Sequence, residues 1–394
     1  MIHQIGKRKV RQCVTSIVAQ PTINIAASAS VDCRGGLFRR RNLLSVTPCV
    51  VGTISGDHAL VCGNHETGPV AREPLSRRAW AVQERLLAPR TVHFTAKSVY
   101  FECYTRTISD IDPFGSYGID KRYYDQVNNW RGDSAWNTDF SLPDGRPSLY
   151  LCLIRWQKVV ETYTYAQLTH ESDKLIAIAG LAQFFQDLWP DPTITYLAGL
   201  WSSDLGYWML WRRTSSTRDL RSPKNFFAPS WSWASVKGSI EWPFYHHYLQ
   251  DPWKTHVIQA RTFPPNNPFS SVQSGYIRIR GRMCTTKGNK NIAGYLKDND
   301  LWLDDGDLGA NRMEDGEGLF LLLTWKSWKY TFRATEALVL GYADQIGQYR
   351  RVGYFSVHGT EALHDLRGIF GHFKPAKHLY LDVNEYNEYT IDIT

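Results

Sequence analysis

The chain has 394 residues, enough for two or three domains, and carries 45 Lys and Arg against 38 Asp and Glu, a net charge of +7. Its positive charge is scattered, and it contains no zinc-finger, RNA-recognition or basic-zipper pattern, which argues against a specific nucleic-acid module. No apolar run is long enough to span a membrane, and seven cysteines (13, 33, 49, 62, 103, 152 and 284) without paired spacing fit a reducing compartment rather than a disulfide framework.

Residues Met1 to Val31 include Lys7, Arg8, Lys9 and Arg11 and no acid, a composition that also suits a mitochondrial transit peptide. TINIAASAS, from Thr22 to Ser30, reads instead as a domain strand, which confines any presequence to about the first twenty residues. VTSIVA is too short and polar for a secretory signal. The expectation is a cytoplasmic protein, with mitochondrial import as the alternative. Cys62 and His65 form a lone Cys-x-x-His with no second pair, so no metal site is expected.

Between Ser76, a plausible N-cap, and Pro89, the residues Ala79, Trp80, Gln83, Leu86 and Leu87 fall at helical spacing and predict one buried stripe. Glu84 lies four residues after Trp80 and three before Leu87, on the same side of that helix. A carboxylate held there has a raised pKa unless a cation answers it, and Arg77, Arg78, Arg85 and Arg90 are near in sequence. The bland reading is a structural Glu–Arg pair that orients the helix. TVHF and SVYFEC then alternate with period two about Thr95, Ala96 and Lys97, so Val92 and Phe94 face Val99, Phe101 and Cys103 in a hairpin.

The stretch from Tyr104 to Ser148 has no apolar period and reads as an irregular connection. Leu149, Leu153, Trp156, Val160 and Tyr163 predict a helix over about 148–166. A second, capped by Thr169, carries Leu175, Ile178, Ala182 and Phe185 before Pro190. Leu197, Trp201, Leu205, Trp208 and Trp211 predict a third, and together the three make a small bundle.

After Lys224 the period becomes alternating. SWSWASV, GYIRIRGRM, LFLLLTW, ALVLGYA, RRVGYFSV, HLYLDV and YTIDIT predict strands of an antiparallel barrel or sandwich. Trp231 and Trp233 share one face of the first, where core packing outweighs stacking on a sugar or peptide. The acidic turn from Leu303 lacks EF-hand spacing, and His246 and His247 are neighbours rather than a same-face metal pair. Walker, dinucleotide and Gly-x-Ser-x-Gly motifs are absent.

Arg78, Ala79, Trp80, Gln83, Glu84, Glu102 and Cys103 resemble the closing helix and hairpin of the heterokaryon incompatibility (HET) domain of filamentous fungi. TINIAASAS and GGLFRRR, from Gly35 to Arg41, are similar to the Ile-Ala-Ala strand and Gly-Leu-Phe-x-x-Arg turn that precede that helix in the family. LTHESDKLIAIAGLA from Leu168, YLAGLW from Tyr196 and APSWSWAS from Ala228 resemble the region that follows it. The family's opening Ser-Tyr-x-Trp-Gly and Asp-x-x-Cys-Ile-x-Gln segments do not occur, so the domain reads as truncated on its N-terminal side, through a mispredicted start, a retained intron or a degenerate gene.

The resemblance and the periodicities together imply an α+β chain in four parts: a truncated α/β, TIR-like HET remnant with an unrelated tail over 1–105, a connection over 106–148, a helical segment over 149–222 and an antiparallel β-rich domain over 223–394. The resemblance further implies a role in non-self recognition and regulated cell death, through signalling or interaction with protein partners and without a cofactor. The family is held to be distantly related to TIR domains, some of which cleave NAD with a helix glutamate four residues after a Trp, the spacing of Trp80 and Glu84. An NAD-cleaving effector using Glu84 is therefore one alternative, with NAD as its substrate; a non-functional gene fragment is the other.

Overall fold

The computed structural model describes residues 22–41, 49–54, 58–62, 69–103, 107–111, 149–189, 191–214, 226–242, 255–285, 301–304, 319–327, 334–343, 345–358 and 374–394. The connection over 106–148 lies almost wholly outside the described residues, as do the N-terminal tail, His65, His246, His247 and the acidic turn beyond Asp304. The fold is mixed α+β and divides into two compact units: Met1–Thr169 with Asp187–Pro190, and His170–Gln186 with Asp191–Thr394.

In the first unit, strands β1 (Asn24–Ala26), β2 (Cys49–Ile54), β3 (His58–Cys62), β4 (Arg90–Phe94), β5 (Val99–Cys103) and β6 (Thr107–Ser109) accompany helices α1 (Ala79–Leu87) and α2 (Leu149–Tyr165). Among the described residues a four-stranded sheet runs β1-β4-β5-β6, and β2 and β3 form a separate two-stranded sheet. β1 is parallel to β4, whereas β4, β5 and β6 are successively antiparallel. The hairpin register matches the alternation, Val92 opposite Phe101 and Phe94 opposite Val99.

Partners in register share a face. Ile25, Val92, Phe101 and Ile108 therefore make one apolar row across all four strands, and Ala26, His93, Tyr100 and Ser109 make a row on the other face. The second face is the sealed one: Thr91, His93, Glu102 and Ser109 are buried, while Val92, Phe101 and Ile108 are half-buried and Ile25 is 60% exposed. This inverts the usual arrangement, in which a sheet hides its apolar side.

Helix α1 starts later than the sequence suggests. Pro74–Arg77 form a 3-10 turn, Arg78 stands at the N-cap, and the Ser76 hydroxyl donates to the Val70 carbonyl at 2.6 Å instead of capping. The helix N-terminus is satisfied from the chain beyond α2: Ala79 N–H donates to Gln167 O at 3.0 Å, and Gln167 N–H donates to Arg77 O at 2.6 Å. A backbone latch thus replaces the expected side-chain cap. Cys152, Leu153, Trp156, Val159, Val160 and Tyr163 form the buried stripe of α2, and α1 packs against this helix.

In the second unit, two 3-10 turns lead into α3 (Ala179–Leu188), and Leu175, Ile178, Ala182 and Phe185 are all buried. Thr169 is exposed and caps nothing; the first of those turns is preceded by His170. The third expected helix is absent. β7 (Tyr196–Leu197) and β8 (Leu200–Trp201) form a hairpin instead, followed by a single turn, Leu205–Trp208. Ala198 and Gly199 both take positive φ, as a tight hairpin requires, and a Cβ at residue 199 would lie 2.5 Å from Trp233 Nε1. Leu197, Trp201, Leu205, Trp208 and Trp211 are nonetheless buried, so core burial produced a spacing that imitates a helix.

SWSWASV is likewise no strand. Ser232 caps a 3-10 turn, Trp233–Ser235, by accepting from Ala234 N–H, and its hydroxyl also donates to Ala198 O. Trp231 and Trp233 are fully buried in the core. The strands that follow are β9 (Arg212–Arg213), β10 (Ile240–Glu241), β11 (Thr255–Phe263), β12 (Ser274–Gly281), β13 (Met283–Thr285), β14 (Leu301–Leu303), β15 (Phe320–Ser327), β16 (Ala334–Tyr342), β17 (Gln348–His358), β18 (Asp382–Val383) and β19 (Tyr389–Ile393). β9 and β10 pair with each other, and the other nine form one sheet ordered β11-β12-β19-β17-β16-β15-β13, with β14 on β17 and β18 on β19. All pairs in that sheet are antiparallel except β17 with β19, which is parallel over two residues. Cys284, Leu321, Leu323, Val339, Phe355 and Val357 anchor its core.

Arg351 is fully buried there. Its guanidinium donates to the Met209 and Trp211 carbonyls and to Asp304, and stacks 3.4 Å from the centre of the Trp211 ring. Each of its three nitrogens has an acceptor, the condition for tolerating such a charge inside.

Candidate functional site

The seven motif residues converge in the first unit, around the start of α1 and the end of β5. Ala79, Gln83 and Glu102 are buried; Trp80 and Cys103 are half-buried; Arg78 and Glu84 are exposed. The stripe that α1 buries is Ala79, Val82, Gln83, Leu86 and Leu87, so Val82 takes the place expected of Trp80.

Glu84 is not the sheltered carboxylate that the sequence suggests. The residue is exposed, and partial loss of hydration at its carboxyl raises its pKa from the ordinary value while the Arg78 charge opposes the rise. Arg85, one of its candidate partners, points elsewhere: Nε and Nη2 donate to the two carboxylate oxygens of Glu102 at 2.8 and 2.9 Å. The structural Glu–Arg pair exists, with the motif's second glutamate as its acid.

Glu102 also accepts from His93 Nε2 at 2.8 Å. Burial on its own would raise the Glu102 pKa, but the charges and hydrogen bonds of Arg85 and His93 more than reverse this and hold it well below the usual carboxylate range. An ionised carboxylate only accepts, so His93 carries its proton on Nε2 and Nδ1 is left to accept from the Ser28 hydroxyl at 3.1 Å. Burial pushes the His93 pKa down; Glu102 draws it partly back, and Arg85 adds to the lowering. The imidazole is therefore neutral at neutral pH.

Ser28, His93 and Glu102 thus stand in the order of a nucleophile, a base and an orienting acid. Ser28 is 1% exposed, so its hydroxyl cannot meet an acyl substrate, and the chain of bonds serves to fasten the segment just after β1 to β4, β5 and α1. The sequence held one cue to this: His93 stands between Val92 and Phe94, and Glu102 between Phe101 and Cys103, at positions that share a face.

No group of three or more His, Cys, Asp or Glu able to hold a metal occurs among the described residues, and no helix among them is long and apolar enough to cross a membrane. In comparisons with known protein families, curated proteins and solved structures, the chain matches none.

Proposed function

We propose that the protein is a member of the HET family with a TIR-like first unit, acting in the cytoplasm by signalling or protein interaction in non-self recognition and regulated cell death. The observation that carries this reading is the inverted sheet. Its polar side is sealed by the Arg85–Glu102–His93–Ser28 chain, and its apolar row from Ile25 to Ile108 is left half-open. Accessible apolar surface of this kind is a mark of surfaces that meet other proteins. The motif residues support the same reading, because Glu102 is engaged in holding the scaffold and Arg78 and Glu84 stand exposed on α1.

The NAD-cleaving alternative is favoured by one observation, an accessible Glu84 carboxyl with a raised pKa, four residues after Trp80. One experiment separates the two. The whole chain, Ile25→Asp and Glu84→Gln are induced in a filamentous fungus, and the purified proteins are assayed for nicotinamide release. The interaction reading expects cell death that Ile25→Asp abolishes, with no nicotinamide released by any form. Glu84-dependent release of nicotinamide would replace it with the enzymatic one.

A further inference from the structure

The loop that follows β1 is fastened at several points. Ala29 N–H donates to Phe94 O at 3.0 Å, and Ser28 O accepts from Leu75 N–H at 3.1 Å. Ser30 is buried; its hydroxyl donates to Gly36 O at 2.5 Å and accepts from Arg39 Nη2 at 3.1 Å, and the same Nη2 donates to Ala29 O at 3.1 Å. These bonds draw Gly36 and Arg39 back onto Ser30 and close the loop. Gly35 lies against Ser30, where a Cβ would stand 2.6 Å from Oγ, and Gly36 turns the chain with a φ of 64°.

This anchored loop turns apolar side chains outward. Val31 is 80% exposed and Phe38 85%, the two highest values for large hydrophobic residues among those described. Val31 follows Ser30 and Phe38 precedes Arg39, so the Ser30–Arg39 bond brings both to the same end of the loop. Phe38 meets the Phe94 ring edge-on, with centroids 5.6 Å apart. Residues 31–41 also hold four arginines against one acid, Asp32, which accepts from Arg34 N–H at 2.8 Å. Arg39 is used inside the loop and Arg41 pairs with Asp110. Arg34 and Arg40 are exposed, and their guanidinium groups have no partner among the described residues. Arg90, also exposed, shares a face of β4 with Phe94.

We propose that this loop docks the protein on the surface of an anionic phospholipid membrane, with Phe38 and Val31 entering between the headgroups and Arg34 and Arg40 on the lipid phosphates. This contact is additional to the protein contact assigned to the apolar row of the sheet, and it does not rest on membership of the HET family. Apolar side chains that stand clear of the surface suit a soft apolar phase, whereas a protein partner has to supply a matching hollow for each. Cations beside such a tip come to rest at headgroup level when the tip reaches the acyl boundary. The guanidinium fork takes two phosphate oxygens at once, and the negative leaflet supplies the counter-charge that the loop lacks. A loop already held in shape loses little freedom on docking.

The test sediments the whole chain with vesicles of phosphatidylcholine, alone or mixed in equal parts with phosphatidylserine. Binding to the mixed vesicles is expected to be at least about tenfold tighter and to weaken as salt rises. Phe38→Ser should lower that affinity about tenfold, whereas Phe38→Trp should preserve it, because indole suits the interface. Arg34→Gln with Arg40→Gln should lower it about tenfold or more. Two controls at exposed positions of the second unit, Ile346→Ser and Arg282→Gln with Lys377→Gln, make the same kinds of change and should leave it unaltered. Urea midpoints equal to the parent's exclude unfolding as the cause; if Phe38→Ser does not fold, Phe38→Trp and the arginine pair carry the test. Absence of binding, equal binding to both vesicles, or full binding by Phe38→Ser would overturn the proposal. An equal loss in the Arg282 and Lys377 control would also overturn it, as mere adsorption of a basic chain. Vesicles left unbound while Phe38→Ser abolishes cell death would make the loop a protein contact instead. None of these results alters the outcome for Ile25→Asp, so the two readings fail separately.

Discussion

At the scale of single residues, burial separates Trp80 from Leu87. Leu87 is fully buried and Trp80 half-buried, although Trp80 is the larger side chain and one of the seven motif residues. Leu87→Ala should cost about 2–5 kcal/mol, and Trp80→Ala should cost less than a fully buried Trp would, because part of the residue is open to water. Urea melts of the two variants check this, and a loss at Trp80 as large as a fully buried Trp gives, about 3–5 kcal/mol, would contradict it. Glu102 belongs with the costly sites. Glu102→Ala leaves Arg85 without its bidentate acceptor and His93 without the acceptor that fixes its tautomer, for an expected loss of about 3–5 kcal/mol. Ser28→Ala should cost far less, about 1 kcal/mol, since it removes one neutral hydrogen bond and leaves the ion pair intact.

Elements whose cause is local were legible in the sequence. The hairpin of β4 and β5 and the helix α2 occupy the expected residues because alternation or helical spacing, with turn residues or a polar flank, determines them. Elements set by distant partners were not. β11, THVIQARTF, carries no clean alternation, and Trp201 to Trp211 imitate a helix because burial on all sides erases the difference between periods. In the site, the motif located α1 and Glu102, but the identity of the partner of Arg85 depends on where β5 crosses the helix, which no spacing within α1 encodes. Close approach of elements gives a further prediction. A Cβ at Gly353 would lie 2.4 Å from Trp302 O, so Gly353→Ala should push β14 off β17. Hydrogen exchange at residues 301–303 should then accelerate while β16 stays protected.

Across the whole molecule, pH should act on the two units in different windows. Unfolded His93 takes up a proton near pH 6.5 and the folded residue only at lower pH, so the unfolded state binds more protons and stability falls as pH drops below 6.5. Glu102 adds a loss of the same sign below about pH 4.5, its unfolded value, because its folded pKa is depressed. In the second unit Lys174 is buried, donates to Val236 O and lies over the Trp233 ring. Burial lowers its pKa to about 8 from 10.5, with Glu171 opposing and Arg213 assisting. Between those two values the unfolded chain holds more protons, so the contribution of Lys174 to stability rises with pH through that interval. Hydrogen exchange corrected for its intrinsic pH dependence should show protection at 91–103 weakening from pH 7 to 5, and protection at 231–236 strengthening from about pH 8 to 9.5. Uniform behaviour in both segments would contradict the assignment. The place of β19 also bears on the order of events in synthesis. Arg278 and Asp392 grip each other across 114 residues, so a ribosome completes β12 long before the strand that will lie beside it exists. The large sheet must therefore close late and over a long loop, a slow step that leaves β12 and β17 exposed to chaperones or to the same strands of a neighbouring nascent chain.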